Sequence, residues 1–221
     1  MVVLNSPLNP AGTCIAEHQL REICEAIVAE NRRRQATGGR PLFLLYDQVY
    51  WQLTYGDAQH FTPVGLVPEM ANYTVLVDAI SKCWAATGVR VGWSLQPPWM
   101  RAKMTPLVGH MGAWAARAEQ RATADLLEDP TLVDGWLGDF RSALHRRLTT
   151  LAEGFRSMKA EGLPVDCLDP QGAMYLTARV ELHGRTVDGV VLDSDEAVRK
   201  AILDAGVAVV PFTAFGYPDG S

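Results

Sequence analysis

The chain has 221 residues, of which 48% are apolar, 20% charged and 8% aromatic, enough for one full domain or one plus a smaller companion at about 100–200 residues per domain. These fractions lie near the globular average and exclude a disordered, collagenous or coiled-coil chain. Twenty Lys and Arg against 25 Asp and Glu give a formal charge of −5, so no overall attraction draws the chain to nucleic-acid phosphates or anionic lipid.

Short β-branched runs alternate with long helical patterns, which predicts a layered α/β fold. Val2–Leu4 reads as a strand entering the turn Asn5-Ser-Pro-Leu-Asn-Pro-Ala-Gly12. Leu20, Ile23, Cys24, Ile27 and Val28 then mark one face of a helix. That helix is expected to dissolve over 31–41, with Arg32–Arg34 as its solvated, dipole-matched end. Leu42–Tyr46 and Thr74–Val77 are apolar runs ending at Asp47 and Asp78, consistent with strands buried on both faces. A third strand is expected at Val89–Leu95, then helices at Trp99–Val108 and Ala113–Leu127.

Trp136, Phe140, Leu144, Leu148, Leu151, Phe155 and Met158 form one stripe of a longer helix. This helix, residues 134–161, is the expected connector between a larger first domain (1–133) and a smaller α+β second domain (162–221). In the latter, Ala173–Val180 reads as a strand, His183–Asp193 as a hairpin or loop, and Ser194–Ala205 as a helix capped by Ser194. Val207–Val210 is the last expected strand.

Cys14, Cys24, Cys83 and Cys167 show no CxxC and no matching His spacing, so neither zinc nor a disulfide framework is expected. No run approaches the roughly 20 apolar residues of a membrane span. The opening Met1–Asn5 shows no signal-peptide features, which makes the cytoplasm the expected location. The six tryptophans fall mostly in apolar context and read as core or subunit contact. The five histidines form no spacing pattern, His110 being the one set in a Gly-rich turn before a helix.

In open α/β sheets, ligands bind beyond the carboxyl ends of the strands, where residues distant in sequence converge. Asn9, Asp47 with Tyr50, and Lys82 with Arg90 all stand just after predicted strands. Singly, each has a plain structural reading: Asn9 in a β-turn, Asp47 a cap, Tyr50 a core aromatic, Lys82 a solvated amine. Together they are the kit that pyridoxal phosphate requires. An amine forms an imine with the aldehyde and moves a proton. A carboxylate keeps the ring nitrogen protonated. A phenol and an amide stabilise the ring's phenolate oxygen, and a guanidinium grips the phosphate bidentately.

The order Asn-Pro-x-Gly, Asp-x-x-Tyr, then Ser-Lys-x-x-x-x-x-Gly-x-Arg-x-Gly resembles the class I/II aminotransferases, fold type I of the pyridoxal phosphate enzymes. Gly172-Ala-Met-Tyr175 and Pro211–Gly216 resemble small-domain landmarks of that family. The resemblance implies a partial three-layer α/β/α large domain with a mostly parallel sheet, plus a smaller α+β C-terminal domain. It implies Lys82 as the Schiff-base lysine and proton shuttle, and Asp47 on the pyridine nitrogen. Asn9 and Tyr50 would contact the phenolate oxygen, Arg90 the phosphate, and Ser81 the phosphate more weakly. No metal is implied.

The implied activity is transfer of an amino group between an amino acid and a 2-oxo acid, in a homodimer that engages neither nucleic acid nor membrane. A lyase or decarboxylase of the same fold is the alternative, and so is a truncated, catalytically incomplete fragment. Two departures stand out. Ala79 occupies a position where many relatives carry a phosphate-binding Ser, and no arginine follows Arg199 to clamp a substrate carboxylate. The chain therefore reads as an interior piece lacking both ends of such an enzyme.

Overall fold

A computed structural model describes residues 1–220. Four strands, β1 (Val2–Asn5), β2 (Leu44–Asp47), β3 (Thr74–Ala79) and β4 (Gly92–Leu95), form one sheet in that order. The first three are parallel and β4 is antiparallel to β3. Asn5 lies opposite Asp47, and Asp47 opposite Val77, so β1 and β2 finish level while β3 runs on two residues to Ala79. Burial alternates along β3: Thr74, Leu76 and Asp78 are buried while Val75, Val77 and Ala79 are partly exposed. The apolar run therefore hides a two-residue period, with one face more enclosed than the other.

Helix α1 (Glu17–Ala36) buries Leu20, Cys24, Ile27 and Val28 against Leu44 and Tyr46 of β2 and against Met70. It runs on through the region expected to dissolve, because Asn31 faces inward and bonds both the carbonyl (2.8 Å) and the N–H (2.6 Å) of Leu42. That clamp sets where the chain enters β2. The Arg32–Arg34 run is the solvated helix end expected: Arg33 and Arg34 pair with Glu30 and Arg32 with Glu69, surface pairs that solvent screens and that add little to stability.

A one-turn helix α2 (Pro63–Leu66) leads toward β3, and a second single turn, α3 (Ile80–Cys83), follows it. Strand β4 starts at Gly92 instead of Val89, because Thr87–Val89 close a tight 3₁₀ turn first. Helices α4 (Pro98–Met111), α5 (Arg117–Leu127) and α6 (Pro130–Ala160) come next. Helix α4 buries none of its side chains. Of the tryptophans expected in the core or at a subunit contact, Trp99 (52% exposed) and Trp114 (64%) lie outside the core. From α6, Leu148 joins a second core with Tyr50, Leu53, Tyr55, Cys83 and Ala173, flanked by Phe140 and Leu144.

The chain forms two compact units. One comprises Met1–Glu153 with Leu168–Thr177; the other comprises Gly154–Cys167 and the residues from Ala178. Within the second, β5 (Val165–Cys167) pairs antiparallel with β6 (Ala178–Val180), and β7 (Thr186–Val187) with β8 (Val190–Val191) makes the expected hairpin. Helix α7 (Asp195–Asp204) starts where expected, its Ser194 hydroxyl accepting the Ala197 N–H at 3.2 Å. Two strand expectations are corrected. Residues 173–177 lie outside β6, with the Ala173 N–H on Leu53 and the Thr177 carbonyl on Leu168. Val207–Val210 is not a strand, since no partner strand lies beside it among the described residues and its side chains are exposed.

Candidate active site

The site is built at the carboxyl ends of the parallel strands β1, β2 and β3. The carbonyl oxygen of Asp47 accepts both the Ser6 N–H (3.1 Å) and the Asn5 side-chain amide (2.9 Å), and Gln48 N–H donates to Val77. Beyond the strand, the Asp47 carboxylate accepts the Val49 N–H at 3.0 Å. This is a local turn that short acidic side chains favour, and it swings the chain over so that Tyr50 follows directly. Asn9 sits in the loop after β1, its N–H bound to the Asn5 side-chain oxygen at 2.7 Å. The β-turn reading and the site reading of Asn9 are thus compatible.

Tyr50 is almost fully buried, and its hydroxyl lies 2.6 Å from that of Tyr175, the rings meeting edge to face. Burial chiefly pushes its ionisation well above the ordinary phenol value. The Tyr175 hydroxyl and the nearby Asp47 charge push the same way, while a hydrogen bond from Asn9 pulls back. Asn9, Asp47 and Tyr50 therefore act on one another at one corner of the sheet.

Lys82 is carried by α3, the single turn that β3 feeds into. Its neighbour Cys83 is buried and directs its thiol at the Val49 carbonyl, 3.1 Å away. This packs the Lys82 turn against the residue between Asp47 and Tyr50. The Lys82 ammonium makes no hydrogen bond or ion pair among the described residues. Ser81 contributes its carbonyl to Thr87 Oγ1 at 2.8 Å, and Ile80 N–H reaches Val91, so residues 80–91 form a closed loop. Arg90, left-handed at φ 62°, lies on the exposed side of that loop with its guanidinium on the Thr87 carbonyl at 2.9 Å. Of the sequence-derived set, Arg90 is thus the residue engaged by its own loop.

Two residues that spacing alone did not single out belong to this corner. Asp78 is buried at the end of β3, accepting the Ala79 N–H (2.7 Å) and the Trp51 indole N–H (2.8 Å). Burial raises its carboxyl above the ordinary value in spite of those bonds. Beside it, Gln48 Oε1 lies 3.2 Å from His60 Nε2, and burial pushes His60 down to about 4. The two-residue alternation of β3 places Asp78 on the enclosed face with Leu76, a signal the continuous apolar run obscured. Tyr175 is the other. It was noted only as part of a landmark, and only the folded chain shows which hydroxyl it meets.

Among the described residues, no cluster of His, Cys, Asp and Glu could hold a metal ion, and no helix is long and apolar enough to cross a membrane. The family described as aminotransferase class I and II matches residues 1–221. A probable aspartate/prephenate aminotransferase of Aquifex aeolicus is 29% identical over 98% of this chain and 50% of its own. An aspartate aminotransferase of Streptomyces avermitilis is 34% identical over 96% and 48%. The solved aspartate aminotransferase of Rhizobium meliloti superposes with a TM-score of 0.85 at 27% identity, covering 98% of this chain and 51% of that one. This chain spans about half the length of the curated relatives it matches. The strand order, the motifs along it and these likenesses agree: the chain belongs to the class I and II aminotransferase family.

Proposed function

We propose that this chain carries the cofactor-binding residues of a pyridoxal phosphate-dependent aminotransferase, moving an amino group between an amino acid and a 2-oxo acid. The observation that carries the reading is the gathering of Asn9, Asp47 and Tyr50 beside the turn that bears Lys82. The donor set fits the cofactor: one amine with no partner among the described residues, one carboxylate, one phenol, one amide and one exposed guanidinium. Bound there, pyridoxal phosphate would supply the electron sink for the bond broken at the substrate's Cα.

The chain's own residues supply the rest. Lys82 acts as nucleophile and proton carrier, its amine left available by the lack of an acidic partner. Asp47 holds a proton on the pyridine nitrogen, and its backbone, fixed by Ser6 and Asn5, keeps it from drifting. Tyr50 and Asn9 bind the ring oxygen. Arg90, exposed and forked, binds phosphate by turning from Thr87, and Ser81 assists. Ala79 has no hydroxyl to add. Several relatives are aspartate aminotransferases by name, which makes aspartate the first amino donor to try. A homodimer is part of this reading, supported by the exposed Trp99 and Trp114.

The test adds pyridoxal phosphate to the chain, reduces with borohydride and maps the labelled peptide. The label is expected on Lys82 and lost in Lys82→Ala. Absence of label at Lys82, both here and in a version extended by the neighbouring coding sequence, overturns the reading. With the extended version, 2-oxo-acid-dependent amino transfer supports an aminotransferase. Release of carbon dioxide or thiol without such transfer replaces it with a lyase.

A further inference from the structure

Tyr175 reaches the site on a segment held from two sides. On one side, the Gln171 and Gly172 N–H groups both donate to the Gly12 carbonyl (3.2 and 2.9 Å), and Thr177 Oγ1 donates to Ala11 at 3.1 Å. That loop also carries Asn9. On the other side, Ala173 N–H donates to Leu53 at 2.8 Å and the Tyr55 hydroxyl donates to the Ala173 carbonyl at 2.5 Å. Those residues follow directly from Tyr50. Ala173 itself is fully buried and left-handed at φ 59°, a conformation that costs a non-glycine residue about 1 kcal/mol or more. Such strain persists only where the surroundings over-determine it, and what it delivers here is the Tyr175 hydroxyl.

A tyrosine hydroxyl has one proton to give and lone pairs to receive with. At 2.6 Å the Tyr50–Tyr175 contact is at the short end for two hydroxyls. Either hydroxyl can donate in this contact; with no anion at hand, we take Tyr50 to donate to Tyr175. When an anionic oxygen faces Tyr50, that proton turns to the anion and the Tyr175 O–H donates to the Tyr50 oxygen instead. Two hydrogen bonds in series polarise each other by about 10–30% per bond. Phenylalanine at 175 can do neither.

We propose that Tyr175 is a positioning residue, setting the direction of the Tyr50 O–H and strengthening its donation to the ring oxygen of the cofactor. This rests on the cofactor reading above. It assigns Tyr175 a role beyond tying two loops together.

The test has two arms. In the cofactor-free chain, labelled at tyrosine Cζ, the Tyr50 hydroxyl proton is expected to be protected from exchange at neutral pH and to lose that protection in Tyr175→Phe. If that variant fails to fold, exchange of the Tyr50 proton in the unmodified chain is compared with that of the exposed Tyr217 hydroxyl, and equal rates overturn the proposal. A Tyr50 proton never protected, or one unmoved by losing its partner, overturns the proposal. With pyridoxal phosphate added, the pH midpoint of the visible band is expected to rise in Tyr175→Phe by about half a unit, an about threefold change in the proton equilibrium. The same substitution is expected to add nothing in a Tyr50→Phe background. A purely structural tie would lower stability and leave that midpoint in place, which also overturns the proposal. If neither the unmodified chain nor its extended version gives a visible band, the cofactor reading fails, and the proposal with it, while the first arm still reports whether the two hydroxyls are paired.

Discussion

A Cβ on Gly12 would stand 2.4 Å from the carbonyl oxygen of Tyr175, and Gly12 itself is left-handed at φ 71°. The loop bearing Asn9 and the segment bearing Tyr175 meet only because this residue has no side chain. Gly12→Ala is expected to cost about 2–4 kcal/mol, adding left-handed strain to a clash that backbone cannot relieve by rotating. Urea unfolding at neutral pH checks it. A loss within about 0.5 kcal/mol would show that the two segments part without penalty.

His60 is partly buried and pushed down to about 4 by desolvation. The unfolded chain therefore takes up a proton near the ordinary histidine value while the folded chain resists, so stability is full above about 6.5 and falls as pH drops toward 4. The loss is expected to reach about 3 kcal/mol when complete. Unfolding free energies at pH 7 and pH 4.5 measure it, and His60→Gln is expected to flatten the profile. An unchanged slope in that variant would assign the pH dependence to other groups.

Asp78 has the opposite sign. Burial raises its carboxyl in the folded chain, so its contribution is full at low pH and is lost as pH rises through the raised value. Asp78→Asn keeps an acceptor for the Trp51 indole and removes the charge. The variant is expected to gain stability relative to the parent between pH 3.5 and pH 7. Thermal unfolding at both pH values decides this, and a relative loss over that range would mean that the bonds from Trp51 and Ala79 outweigh desolvation.

In the smaller unit, the Ser194 hydroxyl caps α7 through the Ala197 N–H. Ser194→Ala is expected to cost about 1 kcal/mol. Hydrogen exchange of the first-turn amides of α7 should quicken by a factor of about five. Exchange left unchanged would place the capping work on the acidic side chains of that turn.

Elements governed by local pattern were legible in the sequence: the helix face of Leu20–Val28, the strand ends at Asp47 and Asp78, and the cap at Ser194 all form as expected. Elements governed by long-range pairing were not. Val207–Val210 has the composition of a strand, but β-propensity is expressed only against a neighbour. Residues 173–177 spend their hydrogen bonds on Leu53, the Gly12 loop and Leu168 instead of continuing β6. In the site, Asn9, Asp47, Tyr50 and Lys82 were visible as types in order, because each follows a strand. The Tyr50–Tyr175 contact was invisible, since no periodicity links a strand-end turn to a loop so far along the chain.

The larger unit reclaims Leu168–Thr177 after the chain has already left it. The boundary is therefore crossed three times, and no single peptide bond separates the two bodies. A recombination event with one junction after α6 would keep every strand of the main sheet yet carry off the partner of Tyr50. Grafting a foreign smaller body onto this scaffold needs three junctions, with the ten-residue return kept native.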